Sequence, residues 1–293
     1  MTLKHCALLC ALISSPVLAQ RTTPLLVSVD KLSDHLQDRD LVLLHVGPKA
    51  EYEAKHIPGA HLVSAADIAL PMDHSNPAEL MLELPSPEVL RTKLANLGIS
   101  DDSHVVVYFN TDQSFSSATR VVFTLQYAGL GDHTSFLNGG MAAWIAAGHP
   151  VTEAISPVTP GKLTLHPAQK IVADAELVRD FKQHPNYKLV DARSPVYYNG
   201  TEATYKKNGH IPGAVNIPFT DLADDKGLMD TEHIAQLFRA AGIKPGDTVV
   251  TYCHIGQQAT VVVLGARLLG NPVMLYDGAF QDWAINNRGP VEK

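Results

Sequence analysis

The pentapeptide His-Ile-Pro-Gly-Ala occurs twice, at His56–Ala60 and at His210–Ala214. Each copy follows an apolar run of strand character, Leu41–Val46 in the first and Lys188–Asp191 in the second. Two further matches keep the same order. Asn138-Gly139 with Trp144 mirrors Asp277-Gly278 with Trp283, and each tryptophan is trailed by a Gly/Pro segment. Leu97–Val107 mirrors Ala241–Val250 around a shared Gly-Ile. Three ordered matches define a duplicated unit, and a repeat of this length predicts two copies of one domain. Within a copy, strands alternate with helices, which predicts an α/β domain with a mainly parallel sheet flanked by helices. The expected division is residues 24–152 for domain 1, a proline-bearing linker over 153–167, and 168–293 for domain 2. Pro-Gly is ordinary turn chemistry, so the pentapeptide reads as a structural guide into the next strand, Val215–Ile217 in copy two. Trp144 and Trp283 read as core anchors.

The copies differ in one stretch. Val249-Val250-Thr251 leads through Tyr252 to Cys253, then a polar turn, His254–Gln258, then an apolar run from Ala259. This predicts a strand, a tight loop and a helix, with a thiol at the strand's end. Such a loop turns backbone N–H groups inward, and the helix adds its positive dipole end, both favouring a thiolate. In copy one Tyr108 falls on Tyr252 and Phe109 on Cys253, and the loop is longer before Ala118-Thr119 rejoins Ala259-Thr260. Only copy two carries a nucleophile, and copy one is expected to be structural or pocket-forming.

Composition bounds the function. The net charge is −7, and the chain has no lysine/arginine cluster, which argues against a nucleic-acid partner. Lys4, the apolar Cys6–Ile13 run, the Ser14-Ser15-Pro16 break and small residues at Val17 and Ala19 predict a signal peptide over residues 1–19, cleaved between Ala19 and Gln20. No later apolar run has the length of a membrane helix. A periplasmic or secreted protein, monomeric, is the expectation. Of three cysteines, Cys6 and Cys10 leave with the signal, and Cys253 remains alone in an oxidising compartment. The histidines show no i, i+3 or i+4 pairing and one cysteine builds no thiolate cluster, so neither a metal nor a cofactor is expected.

Taken together, Asp191-Ala-Arg-Ser194, His210–Pro218, Tyr252-Cys253-x4-Gln258 and Asp277-Gly-x4-Trp283 resemble the tandem-domain rhodaneses, the thiosulfate and 3-mercaptopyruvate sulfurtransferases. The resemblance spans essentially all of the mature chain. It implies a non-catalytic first domain and a catalytic second one. It also implies that Cys253 takes a sulfane sulfur from a small anionic donor, becomes a persulfide and passes the sulfur to a thiophilic acceptor, cyanide or a thiol. The N–H groups of His254, Ile255, Gly256, Gln257, Gln258 and Ala259 would cradle the charge on that sulfur. Arg193 would bind the donor and Asp191 would organise the loop.

The loop departs from both branches of the family. It has neither the Arg or Lys that often follows the cysteine in thiosulfate-using relatives nor the Gly-Ser-Gly of mercaptopyruvate-using ones. Thiosulfate is the expected donor for an exported enzyme, with 3-mercaptopyruvate the alternative. His254 is either a pH-dependent cation or a solvent-facing histidine. A Cys-x5-Arg phosphatase would need arginine at position 259, where this chain has Ala259. A non-catalytic sulfur carrier would have the same loop, and turnover with a small acceptor separates it from an enzyme.

Overall fold

A computed structural model describes residues 23–72, 75–76 and 78–293; the expected signal peptide lies outside them. The first sheet contains β1 (Leu26–Val27), β2 (Leu41–Val46), β3 (His61–Leu62), β4 (His104–Phe109) and β5 (Thr134–Leu137), in the order β1-β5-β4-β2-β3. The second contains β6 (Val172–Ala173), β7 (Tyr187–Asp191), β8 (Val215–Asn216), β9 (Thr248–Tyr252) and β10 (Val273–Tyr276), in the order β6-β10-β9-β7-β8. Every strand pair is parallel. Parallel neighbours need crossovers, and the helices that supply them cover both faces. That is why the central strands read as unbroken apolar runs, with Val105–Phe109 and Val249–Tyr252 buried.

The repeated pentapeptide is a clamp made the same way twice. The Ile57 N–H donates to the Tyr108 hydroxyl (3.1 Å), and the Ile211 N–H to that of Tyr252 (2.9 Å). His56 stacks on Tyr52 with centroids 4.0 Å apart, and His210 on Tyr198 at 3.9 Å. Those tyrosines donate to the carbonyls of Ala60 and Ala214, each at 2.8 Å. Both tryptophans are buried anchors whose indole N–H groups donate to the Pro150 and Pro290 carbonyls.

The two copies share one core. Helix Asp112–Leu125, which follows β4, packs on helix Ala259–Leu268, which follows β9. The Thr119 and Thr260 hydroxyls, equivalent positions in the two copies, meet at 2.7 Å. Like residues meeting like is the signature of a pseudo-twofold contact. Helix Ala259–Leu268 lies between its own sheet and its sister helix, so Ala259–Ala266 are all buried, as expected for a helix apolar on every side. Two amide clasps, one from each domain, add to this contact. The Asn138 amide binds the N–H and C=O of Met229, and the Gln281 amide binds those of Met81. The segment 153–167 runs against domain 1, where Leu163 is buried and the Gly161 N–H donates to the Ala95 carbonyl. Among the described residues no helix is long and apolar enough to cross a membrane. Because both interface helices start at the carboxyl edges of their sheets, the loops after β4 and β9 face each other. That edge is where open α/β sheets place ligands.

Candidate active site

Cys253 stands at the end of β9 with no exposed surface. Its loop closes through Gly256 at φ 76°, a left-handed conformation that favours glycine. The backbone N–H groups of Ala259, Ile255, Gly256 and Gln258 face the sulfur and favour its charged form. Burial pushes the thiol pKa up, and these four donors work against it. In the closed loop desolvation outweighs the donors, so the thiol sits above its ordinary pKa while the loop N–H groups pull it down as the sequence predicts. The carbonyls of Cys253 and His254 are taken by the N–H groups of Phe280 and Gln281, which pins the loop to the segment after β10.

Of the six predicted loop residues, four turn their N–H groups to the sulfur and two serve otherwise. Gln257 reaches across the interface to the Ser116 hydroxyl (3.1 Å), and its carbonyl accepts from Thr260 Oγ1 (2.6 Å). His254 meets neither expectation. Its ring lies against Tyr197 and its Nδ1 is 3.2 Å from Thr204 Oγ1. Burial, then the Arg193 charge, pushes its pKa down to about 4 against the pull of Asp191. It is a half-buried neutral imidazole at neutral pH, not a cation.

Arg193 and Asp191 form a buried ion pair. Arg193 Nε donates to both Asp191 oxygens (2.9 and 3.1 Å), and Nη2 to Asp191 Oδ2 (2.5 Å) and the Gly209 carbonyl (2.8 Å). The guanidinium lies 4.0 Å from the Phe280 ring centroid. Burial opposes its charge, but Asp191 outweighs burial and, with Tyr252 and Cys253 adding, holds its pKa above the ordinary value. Asp191 also accepts the Arg193 backbone N–H (2.9 Å), so it shapes the turn that carries the arginine. The positive charge thus reaches Cys253 through space, from a guanidinium already held by protein.

Several residues at the site come from the other domain or escaped sequence reading. Arg120, on helix Asp112–Leu125, donates to the Gly256 carbonyl (3.1 Å) and the Leu82 carbonyl (2.5 Å) and pairs with Asp277 (2.7 Å). Glu83, half-buried with its Oε1 fully covered, lies beside them. Leu82 and Ala279, two of the three described non-glycine residues with positive φ, flank this cluster. Backbone held in that region is costly and concentrates at functional sites.

Known proteins of the same build carry this chemistry. A family model, the Rhodanese-like domain, matches twice, over residues 28–147 and 174–286. Rat 3-mercaptopyruvate sulfurtransferase is 34% identical over 241 residues, covering 80% of this chain and 79% of the relative. Rat thiosulfate sulfurtransferase is 34% identical over 253 residues, covering 83% and 82%. The crystal structure of SseA, a 3-mercaptopyruvate sulfotransferase from Escherichia coli, matches with a TM-score of 0.76 at 28% identity, over 88% of this chain and 99% of that one. With both halves matched and relatives one-third identical over four-fifths of its length, the chain belongs to the rhodanese family and is a sulfurtransferase.

Proposed function

We propose that this sulfurtransferase draws its sulfur from thiosulfate and carries it as a persulfide on Cys253. The observation that carries the reading is the ring of four N–H donors on one sulfur. Cys253 loses its proton to solvent and its thiolate attacks the outer sulfur of thiosulfate. A new S–S bond forms, the donor's own S–S bond breaks, and sulfite leaves with the electron pair. The N–H groups of Ile255, Gly256, Gln258 and Ala259 stabilise the negative charge as it moves outward. Cyanide, or a thiolate, then attacks the outer sulfur, and thiocyanate or a new persulfide leaves while the Cys253 thiolate is restored. Arg193 supplies positive potential for the anionic donor, and Asp191 holds it in place. His254 contributes polarity without charge, and Gln257 braces the loop on domain 1, which is non-catalytic.

A fully covered sulfur favours a small donor over a large one. The mature chain is proposed to work outside the cytoplasm as a monomer, after cleavage between Ala19 and Gln20. Treating the purified exported protein with thiosulfate and reading the intact mass tests both points. One added sulfur is expected on a chain starting at Gln20, lost on cyanide treatment and absent from Cys253→Ser. No added sulfur from thiosulfate would sink the donor assignment, and none from 3-mercaptopyruvate either would sink the persulfide.

A further inference from the structure

We propose that Arg120 of the non-catalytic domain is a positioning residue for Cys253, because it fixes the peptide of the sulfur cradle that faces the interface. The inference rests on the reading of Cys253 as the nucleophile.

Gly256 and Gln258 both aim their N–H groups at the sulfur, and the peptide between them presents the Gly256 carbonyl. A carbonyl turned toward the sulfur would repel a thiolate. Arg120 prevents this by drawing that oxygen to Nη1 at 3.1 Å, on the domain 1 side. The guanidinium is itself fixed: it is 2% exposed, Nη2 binds the Leu82 carbonyl, and Asp277 Oδ1 lies 2.7 Å away. Asp277 is held in turn by the Leu84 N–H at 2.8 Å. Gly256 has no room to shift, since a Cβ there would meet the Asp277 carbonyl at 2.9 Å and Arg120 Nη1 at 3.1 Å.

The pseudo-twofold shows that this is not general domain glue. Thr119 and Thr260 are equivalent, so Val261 occupies the Arg120 position in the other copy. Only the helix that faces the cysteine loop carries the arginine. A buried guanidinium is costly, and an apolar residue of similar size commonly serves stability as well or better. The same interface has a neutral counterpart: Asn138, equivalent to Asp277, clasps Met229 without touching the loop 253–259.

The charged and titratable groups facing Arg120 are Asp277 and Glu83, with Asp282 acting on Glu83 behind them, and those facing Cys253 are Arg193 and Tyr205. The test is the pH dependence of Cys253 alkylation by iodoacetamide, with kcat, donor KM and Tm, in Arg120→Lys, Arg120→Gln and Asn138→Ala. Lysine keeps the charge but cannot hold two carbonyls and a carboxylate in one plane, so it remains the informative variant if glutamine fails to fold. Both Arg120 variants should move the alkylation midpoint up by about one pH unit and lower kcat about tenfold, with donor KM within about twofold. Asn138→Ala should lower Tm and leave midpoint and kcat at wild type. A folded Arg120 variant with the wild-type midpoint and kcat would overturn the assignment, as would the same midpoint shift in Asn138→Ala. Alkylation is read on the sulfur-free enzyme and needs no donor, so failure here is distinct from failure of persulfide loading.

Discussion

At the carboxyl edge of the first sheet, His45, Gly47 and Phe109 stand where the second sheet has Asp191, Arg193 and Cys253. The registers agree: His45 pairs with Tyr108 and Asp191 with Tyr252. Everything beneath that edge is shared, down to the tyrosine that accepts the pentapeptide N–H. Above it the copies diverge in kind. Phe109 packs edge-on against Phe115 at 5.1 Å and over Phe136 at 5.7 Å, so an apolar plug fills the place of the thiol. Gly47 leaves no space for a side chain, as a Cβ would lie 2.9 Å from Asn110 Cβ. His45 is buried and bonded to the Tyr108 hydroxyl (2.9 Å), and burial, then His56, pushes its pKa down to about 4. Domain 1 buries neutral groups where domain 2 buries an ion pair and a nucleophile. Domain 1 shows that the scaffold needs neither charge, and the proposed chemistry would account for both.

The severest way to break this comparison is to move the thiol. In a Cys253→Ser background, Phe109→Cys puts a thiol on the equivalent strand end, but without the four-donor loop or Arg193. Thiocyanate formation from thiosulfate and cyanide should stay at least about 10³-fold below wild type, as for loss of a covalent nucleophile. The intact mass should show no added sulfur. Sulfur loading of this Phe109→Cys double variant would mean that the strand end alone suffices.

The ion pair gives the next largest effect. Removing one partner of a buried pair costs about 3–5 kcal/mol, because the other charge is left unpaired. Asp191→Asn and Arg193→Ala should each lower the urea midpoint accordingly. The double variant Asp191→His/Arg193→Gly carries the domain 1 residues and no unpaired charge, so it should lose less than the two single losses summed. Sulfur transfer should remain impaired in all three. Strict additivity in the cycle would show that the pair is not coupled.

How far the sequence revealed this arrangement follows from what it encodes locally. The pentapeptide, the Asn/Asp-Gly…Trp segment and the Cys253 loop each lie in a short window, so turn chemistry and apolar periodicity made two parallel α/β domains and the strand–loop–helix around Cys253 legible. Arg120 was not legible, since its partner Gly256 lies 136 residues away and neither position has a periodic signature. Aligning the two interface helices beyond Ala118-Thr119 would have placed Arg120 opposite Val261 and flagged it. The burial of Arg193 and the neutrality of His254 depend on Phe280, Gly209, Tyr197 and Thr204, which come from separate segments. Those side chains converge only once the sheet is built.

The smallest expected effect concerns what domain 1 lends to the interface. Asn138 makes its clasp as a neutral amide, whereas its counterpart Asp277 sits among Arg120, Asp282 and Glu83. Glu83 has a buried Oε1 with no hydrogen-bond partner among the described residues. Burial first, then the Asp277 charge, raises its pKa to about 8, with Arg120 pulling the other way and Asp282 adding. Folding therefore takes up a proton at Glu83 between the unfolded value, near 4.5, and about 8. The associated stability is fully present below that window and falls as pH rises through it. Glu83→Gln keeps the shape and removes the titration, so it should flatten the slope of Tm against pH. At pH 8 the variant should melt about 2–4 °C above wild type, the shift that roughly 1 kcal/mol produces in a chain of this size, and at pH 5 the two should coincide. The matching change in the neutral clasp, Asn138→Asp, should introduce a pH dependence where none existed. An unchanged slope in Glu83→Gln would place the titrating group elsewhere and remove the contrast between the neutral Asn138 and the charged cluster around Asp277.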